Sequence, residues 1–207
     1  MGFYESHILP HLIHLTMRQD RFSAYRRRLV PVARGRVLEV GVGSGLNLPL
    51  YTDAVGQVVG IDTSPRLLSM ARDVGRRGGA SIELVEGSAG ALPLEDESID
   101  TVVSTWTLCS IPDVHAALRE MRRVLKPTGR LLFVEHGRAP DKMVRRWQDR
   151  LTPVWKRLSG GCHLNRPIRE LLEDAGFAIE RVETGYMKGP RAMTFMYEGA
   201  AKRRGGV

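Results

Sequence analysis

The sequence predicts an α/β protein, a mostly parallel sheet with helices on both faces. Three observations carry this expectation. Val37-Leu38-Glu39-Val40 is a short, nearly continuous apolar run, as in a strand buried on both faces. It leads straight into Gly41, Gly43 and Gly45, alternate glycines that let the backbone turn tightly and leave room for a ligand. Beyond them, short apolar runs alternate with amphipathic stretches, the succession expected of strand–helix–strand units.

Composition narrows the class. The chain has 207 residues, enough for one domain with a substantial core. It is 43% hydrophobic and 26% charged, the balance of a globular protein and not of a disordered one. Cys109 and Cys162 are too few for a disulfide framework and fit a reducing compartment. The first residues are apolar but broken by Glu5, His7, Pro10 and Arg18, without a small-residue cleavage site. No run approaches the ~20 apolar residues needed to span a bilayer. The expectation is a cytoplasmic protein, with peripheral contact to a membrane left open. A net charge of +8 is compatible with nucleic acid or an anionic membrane as partner, but the cations are scattered along the chain, and a solvated basic surface explains them equally well.

Taken in order, residues 1–34 precede the first strand and read as helical. Ile8, Leu9, Leu12, Ile13 and Leu15 form one apolar face, and Phe22, Tyr25 and Leu29 a second, with Arg26, Arg27 and Arg28 turned to solvent or to lipid head groups. After the glycines, Asn47 to Thr52 begins a short helix, and Gln57 to Ile61 is a strand ending at Asp62. An acid there accepts both ribose hydroxyls of an adenosine ligand. Thr63-Ser64-Pro65 opens a helix reaching about Gly78, with a hydroxyl cap and Pro in its first turn. Ser81–Val85 and Ser98–Ser104 are strands, Asp113–Val124 is an amphipathic helix and Leu131–Glu135 is the fifth strand.

Between residues 138 and 166, Met143, Trp147, Leu151, Val154, Trp155 and Leu158 recur at three- and four-residue steps, with Pro153 expected to kink or divide the helix. This face would line an acceptor pocket, pack on the sheet, or rest on a membrane. Asn165 is placed to cap a helix starting at Pro167. Two strands, Phe177–Thr184 and Ala192–Glu198, close the fold as a hairpin, and residues 200–207 form a polar tail.

The glycine spacing G-x-G-x-G, with Glu39 ahead of it, suits a cationic ligand better than the G-x-G-x-x-G of pyrophosphate binders. With Asp62, Gly87-Ser88-Ala89-Gly90-Ala91-Leu92-Pro93-Leu94 and Ser98-Ile99-Asp100-Thr101-Val102, the chain resembles the class I S-adenosylmethionine-dependent methyltransferases over residues 36–198. The resemblance implies a Rossmann-like, seven-stranded sheet with an antiparallel C-terminal hairpin. It implies an N-terminal lid at 1–34, a methyltransferase domain at 35–199 and a substrate-capping insertion at 138–166. S-adenosylmethionine would lie on Glu39, Gly41, Gly43, Gly45, Asn47, Asp62, Thr63, Ser64, Gly87, Ser88, Ala89, Thr105 and Trp106. Glu39 would sit under its amino group, and Ser88 stands where the family has an acid for the adenine amino group. Trp106 would lean on the sulfonium or adenine, or else fill the core.

Leu108-Cys109-Ser110, Glu135-His136, W-Q-x-x-L-x-P-x-W from Trp147 and G-C-x-L-x-R from Gly161 resemble methyltransferase-like enzymes acting on small lipophilic thiols. The glycine loop also resembles phospholipid N-methyltransferases and ubiquinone/menaquinone C-methyltransferases. The expected acceptor is therefore small and lipophilic. His136 and His163 are the candidate bases, and Tyr4, Cys109, Trp147, Cys162 and Asn165 the candidate acceptor contacts; no metal is expected. The [ND]-P-P-[YF] motif of base-modifying methyltransferases is missing after the fourth strand, which disfavours a nucleic-acid substrate. An NAD-dependent oxidoreductase, a nucleic-acid-binding protein and a non-catalytic cofactor-binding protein are the rival classes.

Overall fold

The computed structural model describes residues 4–76 and 80–205. Residues 1–3 of the expected lid and Gly78, the expected end of a helix, lie outside them. The strands are β1 (Gly35–Val40), β2 (Val55–Asp62), β3 (Ser81–Glu86), β4 (Ile99–Thr105), β5 (Leu125–His136), β6 (Phe177–Tyr186) and β7 (Phe195–Arg203). They form one seven-stranded sheet in the order β3-β2-β1-β4-β5-β7-β6. All neighbours run parallel except β7, which is antiparallel to both β5 and β6.

β1 lies inside the sheet with β2 and β4 beside it, and Val37 to Val40 are all buried. Because successive residues point to opposite faces, β1 feeds two cores. Leu38 and Val40 join the core under α4 (Val114–Val124) and α6 (Ile168–Asp174). Val37 joins Leu29, Leu68 and Ala71 under α2 (Asp20–Leu29) and α3 (Pro65–Gly75). The helix starts are capped as the sequence requires: Ser64 Oγ accepts from Leu67 N at 3.3 Å and Asp113 Oδ1 from Ala116 N at 2.9 Å. Such caps contribute about 1 kcal/mol each.

Several expectations are corrected. Asn47–Thr52 makes only a 3₁₀ turn, Leu48–Leu50. The last strand starts at Phe195 and continues to Arg203, into the expected tail, where Arg203 donates to Glu97 at 2.7 Å and to Leu125 O at 2.9 Å. Helix α5 (Lys142–Leu158) passes through Pro153 undivided, and beside it Thr152 Oγ1 donates back to Gln148 O at 2.7 Å. Asn165 does not cap α6, which starts at Ile168 behind Pro167; its amide instead donates to Asp149 at 2.8 Å. In α1 (Leu9–Met17) only Leu9 and Pro10 are buried, so most of the expected apolar face is turned outward. Arg26, expected in solvent, is buried; its guanidinium donates to Met17 O at 2.8 Å and lies over the Trp106 ring.

Candidate active site

The carboxyl ends of β1, β2, β4 and β5 converge on one edge of the sheet. Gly41, Gly43 and Gly45 follow β1 with φ of 71°, 54° and 78°, a region that side chains strain to enter. Asp62 at the end of β2 holds this loop: Oδ2 accepts from Gly43 N and Oδ1 from Ser64 N, both at 2.9 Å. Burial raises its pKa from the ordinary carboxylate value. Thr63, beside it, is exposed.

Behind the loop, Glu39 is fully buried. Asn47 Nδ2 donates to it at 2.9 Å and Tyr51 Oη at 2.7 Å, yet burial outweighs both and lifts its pKa to about 7. Asn47 Nδ2 also reaches Thr105 Oγ1 at 3.0 Å, while Asn47 Oδ1 is buried without a donor. A Cβ on Gly43 would meet nothing nearer than Gly41 O, at 3.9 Å. An acceptor lacking its donor, a buried acid and open space above a glycine loop fit a ligand with a cationic amino group.

The remaining cofactor candidates are distributed less simply. Gly87 N donates to Asp62 O at 3.0 Å, which ties the β3 loop to β2, and Ala89 is buried next to it. Ser88 Oγ accepts from Gly90 N at 3.2 Å within its own turn. Trp106 has φ of 54°, and its ring packs edge-on with Phe22 at 5.2 Å and Tyr25 at 6.0 Å under the Arg26 guanidinium. The ring expected to meet a sulfonium or adenine thus carries the Arg26 guanidinium over it and packs against α2.

At the other end of the edge, Glu135 closes the loop after β4. Its carboxylate accepts from Ser104 Oγ at 2.8 Å and from the amides of Thr107, Leu108 and Cys109 at 3.1–3.3 Å. Arg166 clamps the same loop, donating to Leu108 O and, at 2.6 Å, to Ile111 O. Against this loop lie the candidate catalytic groups. Cys162 Sγ is 3.6 Å from both Cys109 Sγ and His136 Nδ1. His163 N donates to Cys109 O at 2.8 Å, and its Nδ1 lies 3.2 Å from the same oxygen. The hydrogen bond that Cys162 shares with Cys109 and then the neighbouring His136, against the opposing effect of burial, hold the Cys162 thiol well below its ordinary pKa. The same bond, reinforced by burial, pushes Cys109 well above it. His136 Nε2 is buried without a partner.

The structure brings His136, His163, Cys109 and Cys162 together. Three acceptor candidates stand apart from them. Trp147 is 51% exposed on α5, Asn165 is engaged with Asp149, and Tyr4 Oη donates to Leu158 O at 3.0 Å. Tyr51, Ser104, Glu135, Arg166 and Arg26 enter the site without having been assigned a role from the sequence. Glu135 and Arg166 did fall within quoted motifs, and that was their only signal. Among the described residues, no group of three or more His, Cys, Asp or Glu side chains has the arrangement of a metal site.

This fold, with a loop-bound acid after β2 and a reversed last strand, defines an adenosine-binding α/β protein. Residues 38–133 match the family described as a methyltransferase domain. Thiol S-methyltransferase TMT1A of Homo sapiens is 32% identical over 165 residues, covering 78% of this chain and 67% of that protein. TMT1B of Rattus norvegicus is 34% identical over 151 residues, covering 71% and 62%. Phosphatidylethanolamine N-methyltransferase of Cereibacter sphaeroides is 41% identical over 104 residues, covering 49% and 51%. The structure of YcgJ from Bacillus subtilis superposes with a TM-score of 0.70 at 16% identity, over 89% of this chain and 100% of that one, a likeness of fold. The chain belongs to the S-adenosylmethionine-dependent methyltransferases, and S-adenosylmethionine is the cofactor of that family. It spans about three fifths to two thirds of the length of the thiol methyltransferases it matches.

Proposed function

We propose that this chain transfers a methyl group from S-adenosylmethionine to a small lipophilic acceptor, a thiol in the favoured case. The single observation that carries this reading is the cluster of His136, Cys162, Cys109 and His163 at the edge of the sheet that also carries the glycine loop. The thiol methyltransferase relatives support the choice of acceptor. When bound, the cofactor would supply an electrophilic methyl group on a sulfonium, open to in-line attack by an acceptor lone pair, with S-adenosylhomocysteine leaving as a neutral thioether.

The residues of the chain have three tasks. Glu39 and Asn47 anchor the cationic amino-acid end, and Asp62 takes the ribose hydroxyls while holding Gly43. The Glu135 and Arg166 clamps fix the loop that faces the acceptor, which limits the geometries the acceptor samples. A thiol reacts as thiolate, so its proton must leave. His136 receives it at a ring nitrogen, with Cys162 at Nδ1 fixing the ring. His163 is the second candidate; burial keeps its pKa below the ordinary value, so it is a neutral acceptor at neutral pH.

The test is transfer from methyl-labelled S-adenosylmethionine to a small lipophilic thiol and, in parallel, to phosphatidylethanolamine in liposomes. Label is expected in the thiol. His136→Ala should slow that transfer about a hundredfold or more and leave cofactor affinity within about threefold. Label in the lipid alone would replace the thiol reading with the phospholipid one, for which the Cereibacter sphaeroides relative is the support. Full turnover by His136→Ala would remove His136 from the mechanism. Cofactor binding with neither acceptor labelled would favour a quinone precursor or a non-catalytic binder.

A further inference from the structure

The apolar stripe of α5 does not face the site or the sheet. The helix buries Val144, Gln148 and Thr152, whereas Met143, Trp147, Val154 and Leu158 are each 51–60% exposed and Leu151 is 39% exposed. At 100° per residue these five fall on one continuous strip. Arg146, Arg150 and Arg157, all exposed, fall on the strip beside it. The Arg150 guanidinium lies 5.8 Å from the Trp147 ring centroid.

The N-terminal helices repeat the pattern nearby. Ile8, Leu12 and Leu15 are 43–61% exposed. Tyr4 Oη bonds to Leu158 O, and a Cβ on Gly160 would lie 3.5 Å from Leu9 and 3.6 Å from Ile13, so this segment abuts the end of α5. Among the described residues, every large exposed apolar side chain except Val32 stands on these two segments. Surfaces of single chains seldom gather exposed apolar groups so narrowly without a partner.

We infer that the outer face of α5, together with the exposed face of the N-terminal segment, docks on an anionic lipid bilayer. Charge chooses this occupant. Arg146, Arg150 and Arg157 flank the strip along one edge, and α5 as a whole is basic with Asp149 as its one acid, so two copies laid face to face would repel. A basic helix with an apolar strip containing Trp is the form that lies in a bilayer interface. The placement is also functional. His14 Nδ1 on α1 lies 2.7 Å from Ser44 Oγ in the glycine loop, and the loop after α5 carries Cys162 against His136. The docked face therefore borders both halves of the site, and a lipophilic acceptor held in the bilayer would enter without crossing water. Docking itself does not depend on which acceptor is methylated.

The experiment is co-sedimentation of the full chain with vesicles of phosphatidylcholine alone and of phosphatidylcholine mixed with phosphatidylglycerol. Tryptophan emission is followed in the same samples. The protein should sediment with the mixed vesicles, and about tenfold less on the neutral ones or at high salt. Emission should shift to the blue, because Trp147 is the exposed indole while Trp106 and Trp155 are partly buried. Arg146→Glu/Arg150→Glu/Arg157→Glu and, separately, Val154→Asp should each lose about tenfold or more in vesicle binding, with S-adenosylhomocysteine binding unchanged as the measure of an intact fold. Wild-type protein left in the supernatant of the mixed vesicles would overturn the inference. So would variants that sediment like wild type, or a blue shift that needs concentration and no lipid, which would mark a second copy as the occupant. Cofactor affinity and methyl transfer are read separately, so a failure here is distinguishable from a failure of the proposed activity.

Discussion

At the base of the glycine loop Glu39 accepts from Asn47 and Tyr51 and meets no solvent, and burial lifts its pKa to about 7 from 4.5. The folded chain thus holds this proton more tightly than the unfolded chain. For a raised carboxyl, stability is fully present below the unfolded value and is lost as pH rises through the folded one, here from about 4.5 to about 7. The loss is of order 3 kcal/mol. Glu39→Gln should therefore gain stability over wild type as pH rises from 5 to 8, read from urea midpoints of the cofactor-free protein in this range; parallel curves for the two proteins would contradict it. At this scale the sequence was partly legible. An acid before alternate glycines and an acid closing β2 are signals of type and spacing, and Glu39 and Asp62 both lie at the cofactor edge. Tyr51 carried no signal, because its contact with Glu39 depends on how the loop returns after a 3₁₀ turn.

The element that turns the sheet into a site is the loop after β4. Its amides are held from within by Glu135 and its carbonyls by Arg166, whose guanidinium is mostly buried and whose pKa burial lowers. Arg166→Ala removes a charged donor and leaves the Leu108 and Ile111 carbonyls short of partners. It should cost about 2–4 kcal/mol, a fall of roughly 5–15 °C in Tm for a chain of this size. Thermal unfolding checks it, and a change of a degree or less would show that the clamp is incidental. Helix periodicity located α4 and α5, but it did not say which face of α5 was inward. The apolar strip looked like the buried one, whereas Val144, Gln148 and Thr152 are buried and Gln148 bridges Gly137 O and Ala139 N. A polar residue serving loop backbone groups is invisible to a hydrophobic pattern. Trp106 is a second example: its ring fills a gap under Phe22, Tyr25 and Arg26, a tertiary contact that no local spacing encodes.

Over the whole molecule, the alternation of strands and helices and the final hairpin were read from the sequence, and the antiparallel end was implied by the resemblance. The order β3-β2-β1-β4-β5-β7-β6, with β7 between β5 and β6, comes from the structure. The motifs fall after the strands they were read from, so the fold and the adenosine edge were recoverable from sequence. The N-terminal segment was less so, because Ile8, Leu12 and Leu15 of its expected apolar face point outward near α5. Arg28 is exposed, as expected, and also ties α2 to Glu198 on β7 at 2.6 Å. Everything proposed for this chain depends on one property of the assembled sheet: that its carboxyl edge holds S-adenosylmethionine through Asp62 and the glycine loop. Calorimetric titration of the cofactor into wild type and Asp62→Asn, with NAD as comparison, tests this most directly. The account predicts saturable one-to-one binding of S-adenosylmethionine, no binding of NAD, and affinity about tenfold or more weaker in Asp62→Asn. Binding of NAD by wild type, or an Asp62→Asn variant that binds S-adenosylmethionine as tightly as wild type, would contradict it.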